Sequence, residues 1–222
     1  MADQSIRIIL FANGQVGDYS ALAQLIRPTD YLIAADGGTH HALTLGRTPH
    51  AIIGDLDSVD DATLAKLSAQ VYIERHPPDK NQTDLELALD YALRQTAEQN
   101  VSAIWIVGAL GGRLDQMLGN IFILAQREWP LPVILADGAV RAQIVRPEQP
   151  LTLAARPGDT ISALPLSDTV TGITYTGMRY PLENHTLSLG STRGISNEVI
   201  AEAATVHVTS GKLLIVEMTS KG

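Results

Sequence analysis

Cysteine is absent from all 222 residues. That excludes disulfides, zinc–thiolate centres and thiol nucleophiles, and it fits a cytoplasmic protein. No apolar run approaches the roughly 20 residues that cross a bilayer, so no membrane partner is expected. The start, Met1-Ala2-Asp3-Gln4, lacks a basic segment followed by an apolar stretch, and a strand begins at Ile6. No signal peptide is expected from that pattern. Positive charge is also short: the formal net charge is -8. This argues against nucleic acid held on a basic surface. It leaves room for a small anion in a local site, above all one carried by a metal. The six histidines show no metal-ligand spacing. His40-His41 reads as a helix face, and no catalytic histidine is assigned.

What remains is a chain long enough for one large domain or two small ones, with 45% hydrophobic residues to build a core. Apolar, β-branched runs at 6–12, 31–35, 51–53, 71–73, 103–107 and 133–135 predict strands. Helical patterns occupy 19–26, 40–45, 60–67, 84–95 and 114–127. The clearest is 84–95, where Leu85, Leu89 and Ala92 share one spacing and Ala88 and Tyr91 another. Thr83 is placed to cap it, with Glu86 as its capping-box partner. Strands alternating with helices predict a layered α/β domain with a mostly parallel sheet over residues 1–138. After that the pattern changes to short β runs at 142–145, 151–154, 160–163, 173–175, 186–189, 205–209 and 213–217, separated by turns. A small all-β sandwich or barrel is expected over 139–222.

Three aspartate-bearing segments carry the chemistry: Ala35-Asp36-Gly37-Gly38, Gly54-Asp55-Leu56-Asp57-Ser58 and Gln82-Thr83-Asp84-Leu85-Glu86. The first two follow strands and the third opens a helix. Strand ends and helix starts of an open α/β sheet meet in one crevice. Carboxylates gathered there repel one another and need a cation, and oxygen-only ligands suit Mg2+. Asp55 and Asp57 face the same side if their segment is extended, because side chains alternate. A solvated acidic turn is the plainer account of that pair, and dipole complementation is the plainer account of Asp84 alone. Their recurrence favours function.

Gly108-Ala109-Leu110-Gly111-Gly112-Arg113 joins a strand to a helix. Backbone N–H groups at such a turn cradle phosphate oxygens, and Arg113 adds a forked donor. It is neither a Walker A loop nor a dinucleotide fingerprint. Asp115 is either part of this site or a helix-start acid. Lys80, just before the Asp84 helix, can neutralise phosphate charge or remain a surface lysine. Ser196-Asn197 lies in a glycine-interrupted polar stretch that reads as a hairpin loop and can also hydrogen-bond a heterocycle.

Taken together and in order, these segments resemble the thiamine pyrophosphokinase family. The resemblance rests on Asp36-Gly37-Gly38, on Gly54-Asp55-Leu56-Asp57-Ser58 and on Gln82-Thr83-Asp84-Leu85-Glu86-Leu87-Ala88-Leu89. Gly111-Gly112-Arg113-Leu114-Asp115, Gly119-Asn120 and Ser196-Asn197 complete it. It implies transfer of the terminal diphosphate of ATP to the hydroxyl of thiamine, giving thiamine diphosphate and AMP. It implies Mg2+ organised by Asp55, Asp57 and Asp84, with Asp36 in the same acidic site and the glycine loop, Gly111 and Gly112, with Arg113 in the nucleotide region, where Lys80 and Asp115 are the further binding candidates. It places Ser196 and Asn197 near the vitamin, in a cleft completed by a second subunit, and so implies a homodimer. Asp57 or Asp84 would accept the hydroxyl proton. Two positions depart from the family pattern: Asn81 stands where an acid is frequent, and Gln116 where a histidine is common. A Mg2+-dependent phosphohydrolase and a non-catalytic sensor of nucleotide or thiamine are the competing readings.

Overall fold

The computed structural model describes residues 5–147 and 149–219. The chain divides into two compact units. The first holds residues up to Ile123 together with Trp129–Gly138; the second holds Leu124–Glu128 and the chain from Ala139 onward.

The first unit is built on six strands: β1 (Ile6–Phe11), β2 (Tyr31–Ala35), β3 (Ala51–Gly54), β4 (Tyr72–Arg75), β5 (Val101–Val107) and β6 (Val133–Asp137). They pair in parallel in the order β6-β5-β1-β2-β3-β4. Five helices connect them: α1 (Tyr19–Leu25), α2 (Thr39–Thr44), α3 (Asp61–Leu67), α4 (Asp84–Gln95) and α5 (Leu114–Gln126). The expected α/β class with a parallel sheet is therefore present.

The reason is visible in β1. Ile8, Ile9, Leu10 and Phe11 are all fully buried, as a central parallel strand covered on both faces requires. At the edge, β4 is half-exposed and carries Glu74 and Arg75, charges that discourage further strand pairing. Helix α4 packs on β2 and β3. It begins at a complete capping box: Thr83 accepts from the Glu86 N–H, and Glu86 accepts from the Thr83 N–H. Leu85, Ala88, Leu89, Tyr91 and Ala92 are buried, matching the spacing read from sequence.

The strand order has a functional consequence. The chain runs from β1 outward through β2, β3 and β4, then returns to the other side of β1 for β5 and β6. The β1–β5 junction is thus the switch point, where the loops leaving two adjacent strands diverge and open a crevice.

Among the described residues the second unit contains eight strands: β7 (Val140–Val145), β8 (Leu151–Thr152), β9 (Thr160–Pro165), β10 (Thr169–Thr176), β11 (His185–Ser188), β12 (Asn197–Glu198), β13 (Thr205–His207) and β14 (Leu213–Met218). Antiparallel pairings give β12-β9-β14-β7 and β11-β10-β13-β8. Val145, Ile161, Val170, Ile173, Val206, Leu213 and Ile215 fill one apolar core from both sets, which is the expected sandwich. Strand β10 is longer than the three residues its apolar pattern suggests. Gly172 sits inside it with φ +66 where the pairing with β11 shifts register, so a residue that reads as a break is a bulge. Residues 197–198 pair as β12, although the sequence reads as a loop there.

Glu217 on β14 is buried and accepts from the Ala154 N–H at 2.9 Å. Burial pushes its carboxyl above the usual glutamate range, against the pull of that hydrogen bond and of the Arg141 charge, with Asp159 adding to the rise. The folded protein then holds this proton more tightly than the unfolded chain. The associated stability is full below the ordinary glutamate range and is lost as pH rises through the folded-state value. Glu217→Gln is expected to lose less melting temperature than the parent as pH rises from the ordinary glutamate range through the folded-state value. Thermal melts of both proteins at several pH values check it, and parallel curves would remove Glu217 as the cause.

Candidate functional site

The acids are assembled by three different strand-to-helix transitions. Asp36 directly follows β2 and adopts φ 44 at the head of a single 3-10 turn, Asp36–Gly38. A left-handed aspartate is uncommon, and such conformations concentrate at functional sites. Its carbonyl accepts from Thr39 Oγ1 at 2.7 Å and its carboxylate from the Ser58 N–H at 3.3 Å. Asp55 directly follows β3. Asp84 is the first residue of α4. Carboxylate oxygens of Asp36, Asp55 and Asp84 lie within 4.8 Å of one another.

Gly54 makes this convergence possible. It has φ +150, and a Cβ there would stand 3.0 Å from Asp84 Oδ1 and 3.1 Å from Asp36 Cβ. Any side chain at 54 would push the acids apart.

Lys80 bridges two of the three. Its Nζ lies 2.9 Å from Asp55 Oδ2 and 2.9 Å from Asp84 Oδ1. The hydrogen bond from Lys80 is the main force holding the Asp55 carboxyl below its ordinary range, against burial. Burial pulls the Lys80 ammonium down, but its contacts with Asp84 and Asp55 outweigh that and hold it above the usual lysine range. Asp84 Oδ1 is buried and, although within ion-pair distance of Lys80, lacks a properly oriented hydrogen bond. An under-used buried acceptor, three hard oxygen donors and a gap kept open by Gly54 together fit a small divalent cation such as Mg2+.

Asp57 stands apart from the trio. It is exposed, its Oδ1 accepts from Ser58 Oγ at 3.0 Å, and its own N–H reaches Asp55 Oδ1 at 3.3 Å. The cause is Leu56, which has φ 65 and is buried. The chain turns there, so the side-chain alternation of an extended segment does not apply.

Beside the acids lies a cleft of about 1110 Å³, lined within the first unit by Asp36, Lys80, Asp84, Gly111, Gly112 and Arg113 among others. It sits at the β1–β5 switch point. The two loops there are laced together: Gly14 N–H donates to Gly108 O at 2.8 Å and Gln15 N–H to Gly111 O at 3.3 Å. Asn120 Nδ2 of α5 donates to Ala109 O at 3.0 Å. Arg113 and Asp115 are exposed and form a two-point pair, with Nε–Oδ1 at 3.1 Å and Nη2–Oδ2 at 2.6 Å. Each holds the other charged: Asp115 sits below its ordinary pKa range and Arg113 above its own, through that pair.

Sequence reasoning did not assign Asn13, Gly14, Gln15, Tyr19 or His41, all of which line the cleft. His41 is a brace. Its Nε2 bonds Gly14 O at 2.7 Å and its Nδ1 bonds Tyr19 OH at 2.7 Å. A carbonyl only accepts, so Nε2 carries the proton, and in the neutral ring Nδ1 takes its bond from the tyrosine. The available signal was Asn13-Gly14-Gln15-Val16-Gly17, a glycine-bearing first strand-to-helix turn. Of the two departures, Asn81 is exposed and Gln116 lines the cleft.

Ser196 and Asn197 belong to the second unit. Ser196 is exposed with φ 59, and its N–H donates to Ser162 Oγ at 3.1 Å. Asn197 is buried. Its Oδ1 accepts from the Tyr180 and Glu198 N–H groups at 3.0 and 2.9 Å, and its Nδ2 donates to Tyr180 O at 2.7 Å. Its amide is largely committed to the backbone.

Comparison with known proteins gives a consistent result over both units. A family model described as thiamin pyrophosphokinase, catalytic domain, matches residues 22–135, and one described as thiamin pyrophosphokinase, vitamin B1 binding domain, matches residues 144–213. A thiamine pyrophosphokinase of Bacillus subtilis (strain 168) is 34% identical over 189 residues, covering 84% of this chain and 86% of that protein. The crystal structure of thiamine pyrophosphokinase from Bacillus subtilis superposes with a TM-score of 0.83 at 30% identity, covering 98% of this chain and 100% of that one. That of thiamin pyrophosphokinase from Geobacillus thermodenitrificans gives 0.78 at 30% identity, covering 98% and 99%.

Proposed function

The chain belongs to the thiamin pyrophosphokinase family and forms thiamine diphosphate by diphosphate transfer; we propose that the terminal diphosphate of ATP passes to the thiamine hydroxyl, leaving AMP, with Mg2+ as the metal. The observation that carries the reading is the convergence of Asp36, Asp55 and Asp84 beside a cleft lined by glycine loops and Arg113.

Asp36, Asp55 and Asp84 would hold the Mg2+, which when bound draws charge from the triphosphate and favours in-line attack. The chain's own contribution is positioning and electrostatics. Gly111, Gly112 and the laced loops present backbone to phosphate oxygens. Arg113 exchanges its carboxylate partner, Asp115, for phosphate, since both offer the same two-point geometry. Asp57, exposed two residues beyond Asp55, would accept the hydroxyl proton. In this reading residues 1–138 bind ATP and metal, and residues 139–222 bind thiamine and contribute to dimerisation. Ser196 contacts the vitamin, while Asn197 fixes the Tyr180 segment beside it.

Exposed Leu114, Leu118 and Phe122 recur every four residues along α5, and Ile195 and Ile200 are exposed in the second unit. Apolar surface of that kind supports a homodimer. No helix among the described residues is long and apolar enough to cross a membrane, and the absence of cysteine supports a cytoplasmic location.

The test is to incubate the protein with ATP, Mg2+ and thiamine and to resolve the products. AMP with thiamine diphosphate, dependent on both thiamine and Mg2+, is expected. ADP with thiamine monophosphate would move the attack to another phosphorus. Inorganic phosphate without thiamine dependence would make the protein a hydrolase.

A further inference from the structure

The oxygens best placed for a divalent cation already have a cation of the chain's own. Lys80 Nζ is 2.9 Å from an oxygen of Asp55 and 2.9 Å from one of Asp84. The Lys80 side chain is only 13% exposed, so the contact is partly shielded from water. Two of the three carboxylates that would ligate a metal are therefore engaged by a single ammonium, and the third, Asp36, is buried beside them. An ammonium brings one positive charge to this cluster and a divalent ion brings two. They cannot both approach the same oxygens without repelling each other across a few ångströms.

We infer that Lys80 is an internal competitor of the metal, held on Asp55 and Asp84 and driven off them by a divalent cation. The inference rests on the metal reading proposed above. It assigns Lys80 a second role. The ammonium keeps the acids together while no other cation is bound. Because Lys80 also lines the cleft, once displaced it still faces the phosphates that accompany the metal. Metal binding without nucleotide is then weakened by the competitor. Metal bound together with a triphosphate is not weakened in the same way, because the phosphates offer the displaced ammonium a new partner.

Lys80→Met keeps the apolar stem and removes the charge; Lys80→Gln is a second neutral variant should the first not fold, and Lys80→Arg keeps the charge. Mn2+ binding is measured by calorimetry and by the paramagnetic signal of free Mn2+, with neither nucleotide nor thiamine present. Melting temperature is followed in chelator and in Mn2+. The neutral variants are expected to bind Mn2+ roughly tenfold more tightly than the parent, with Lys80→Arg close to the parent. In chelator they should melt below the parent, and they should gain more from added Mn2+. Equal or weaker Mn2+ binding by the neutral variants would overturn the competition while leaving the metal site standing. Absence of Mn2+ binding in parent and variants alike would overturn it together with the metal reading.

Discussion

Asp84→Ala should lower the rate of thiamine diphosphate formation by roughly 10³-fold or more while barely moving the melting temperature. Asp84 Oδ1 is buried and its partner is the Lys80 ammonium at 2.9 Å rather than a group of the backbone, so its carboxylate serves a cation more than the fold. Its helix does not depend on it: the Thr83–Glu86 capping box remains, and losing one first-turn acid costs about 0.3–1 kcal/mol of dipole complementation. Removing one of three close carboxylates also relieves repulsion, and Lys80 keeps Asp55 as a partner. Asp57→Ala makes the informative contrast. Asp57 is exposed and lies outside the trio, so its loss should reduce turnover less and leave the Mg2+ dependence unchanged. Steady-state rates over a Mg2+ titration, with melts of each variant, separate the two. An Asp84→Ala protein with parental turnover at ordinary Mg2+ would remove Asp84 from the metal site.

Much of this site could be read in the sequence because its parts are local. Asp36 and Asp55 each end a buried apolar strand, and Asp84 follows a capping threonine; each statement needs only a few neighbouring residues. Sequence was weaker where the outcome hangs on one dihedral angle or on a distant partner. Asp55 and Asp57 share a side only on extended backbone, and the left-handed turn at the buried Leu56 sends Asp57 outward. Asn13 and Gly14 read simply as the end of β1. Their importance appears once β5 is known to lie beside β1, because only then do Gly14 and Gly108 meet. Lys80 reads more readily as a surface lysine, since its contact with Asp55 spans 25 residues of sequence. Asn197 is the sharpest case: its polarity was legible, but its commitment to the Tyr180 backbone was not.

The largest loss of stability from a single substitution is expected at the other end of the parallel sheet, at Arg7 and Asp30. Arg7 is the second residue of β1 and Asp30 immediately precedes β2, and both are buried. The guanidinium donates through Nε to Asp30 Oδ1 at 3.0 Å and through Nη2 to Oδ2 at 2.6 Å. Nη2 also donates to Leu25 O at the end of α1 at 2.7 Å, and the guanidinium lies 5.3 Å from the centre of the Trp105 ring on β5. Asp30 Oδ2 in turn accepts from the Arg27 N–H at 2.7 Å. One pair thus ties β1, β2, β5 and α1 together. Asp30→Ala strands a buried guanidinium and opens the Arg27 turn, which should cost about 3–5 kcal/mol and lower the melting midpoint by roughly 10 °C. The pair itself adds little over apolar packing, because taking both charges out of water offsets most of their attraction. Replacing both at once, Arg7→Met with Asp30→Leu, should therefore recover much of the loss. The acids lie at the C-terminal ends of the strands and this pair at the N-terminal ends. Turnover per folded molecule, measured well below the melting range, should stay close to that of the parent in both variants. An Asp30→Ala protein that melts with the parent would show that the fold does not rely on the pair. One that keeps its stability and loses turnover would mean that the two ends of the sheet are coupled.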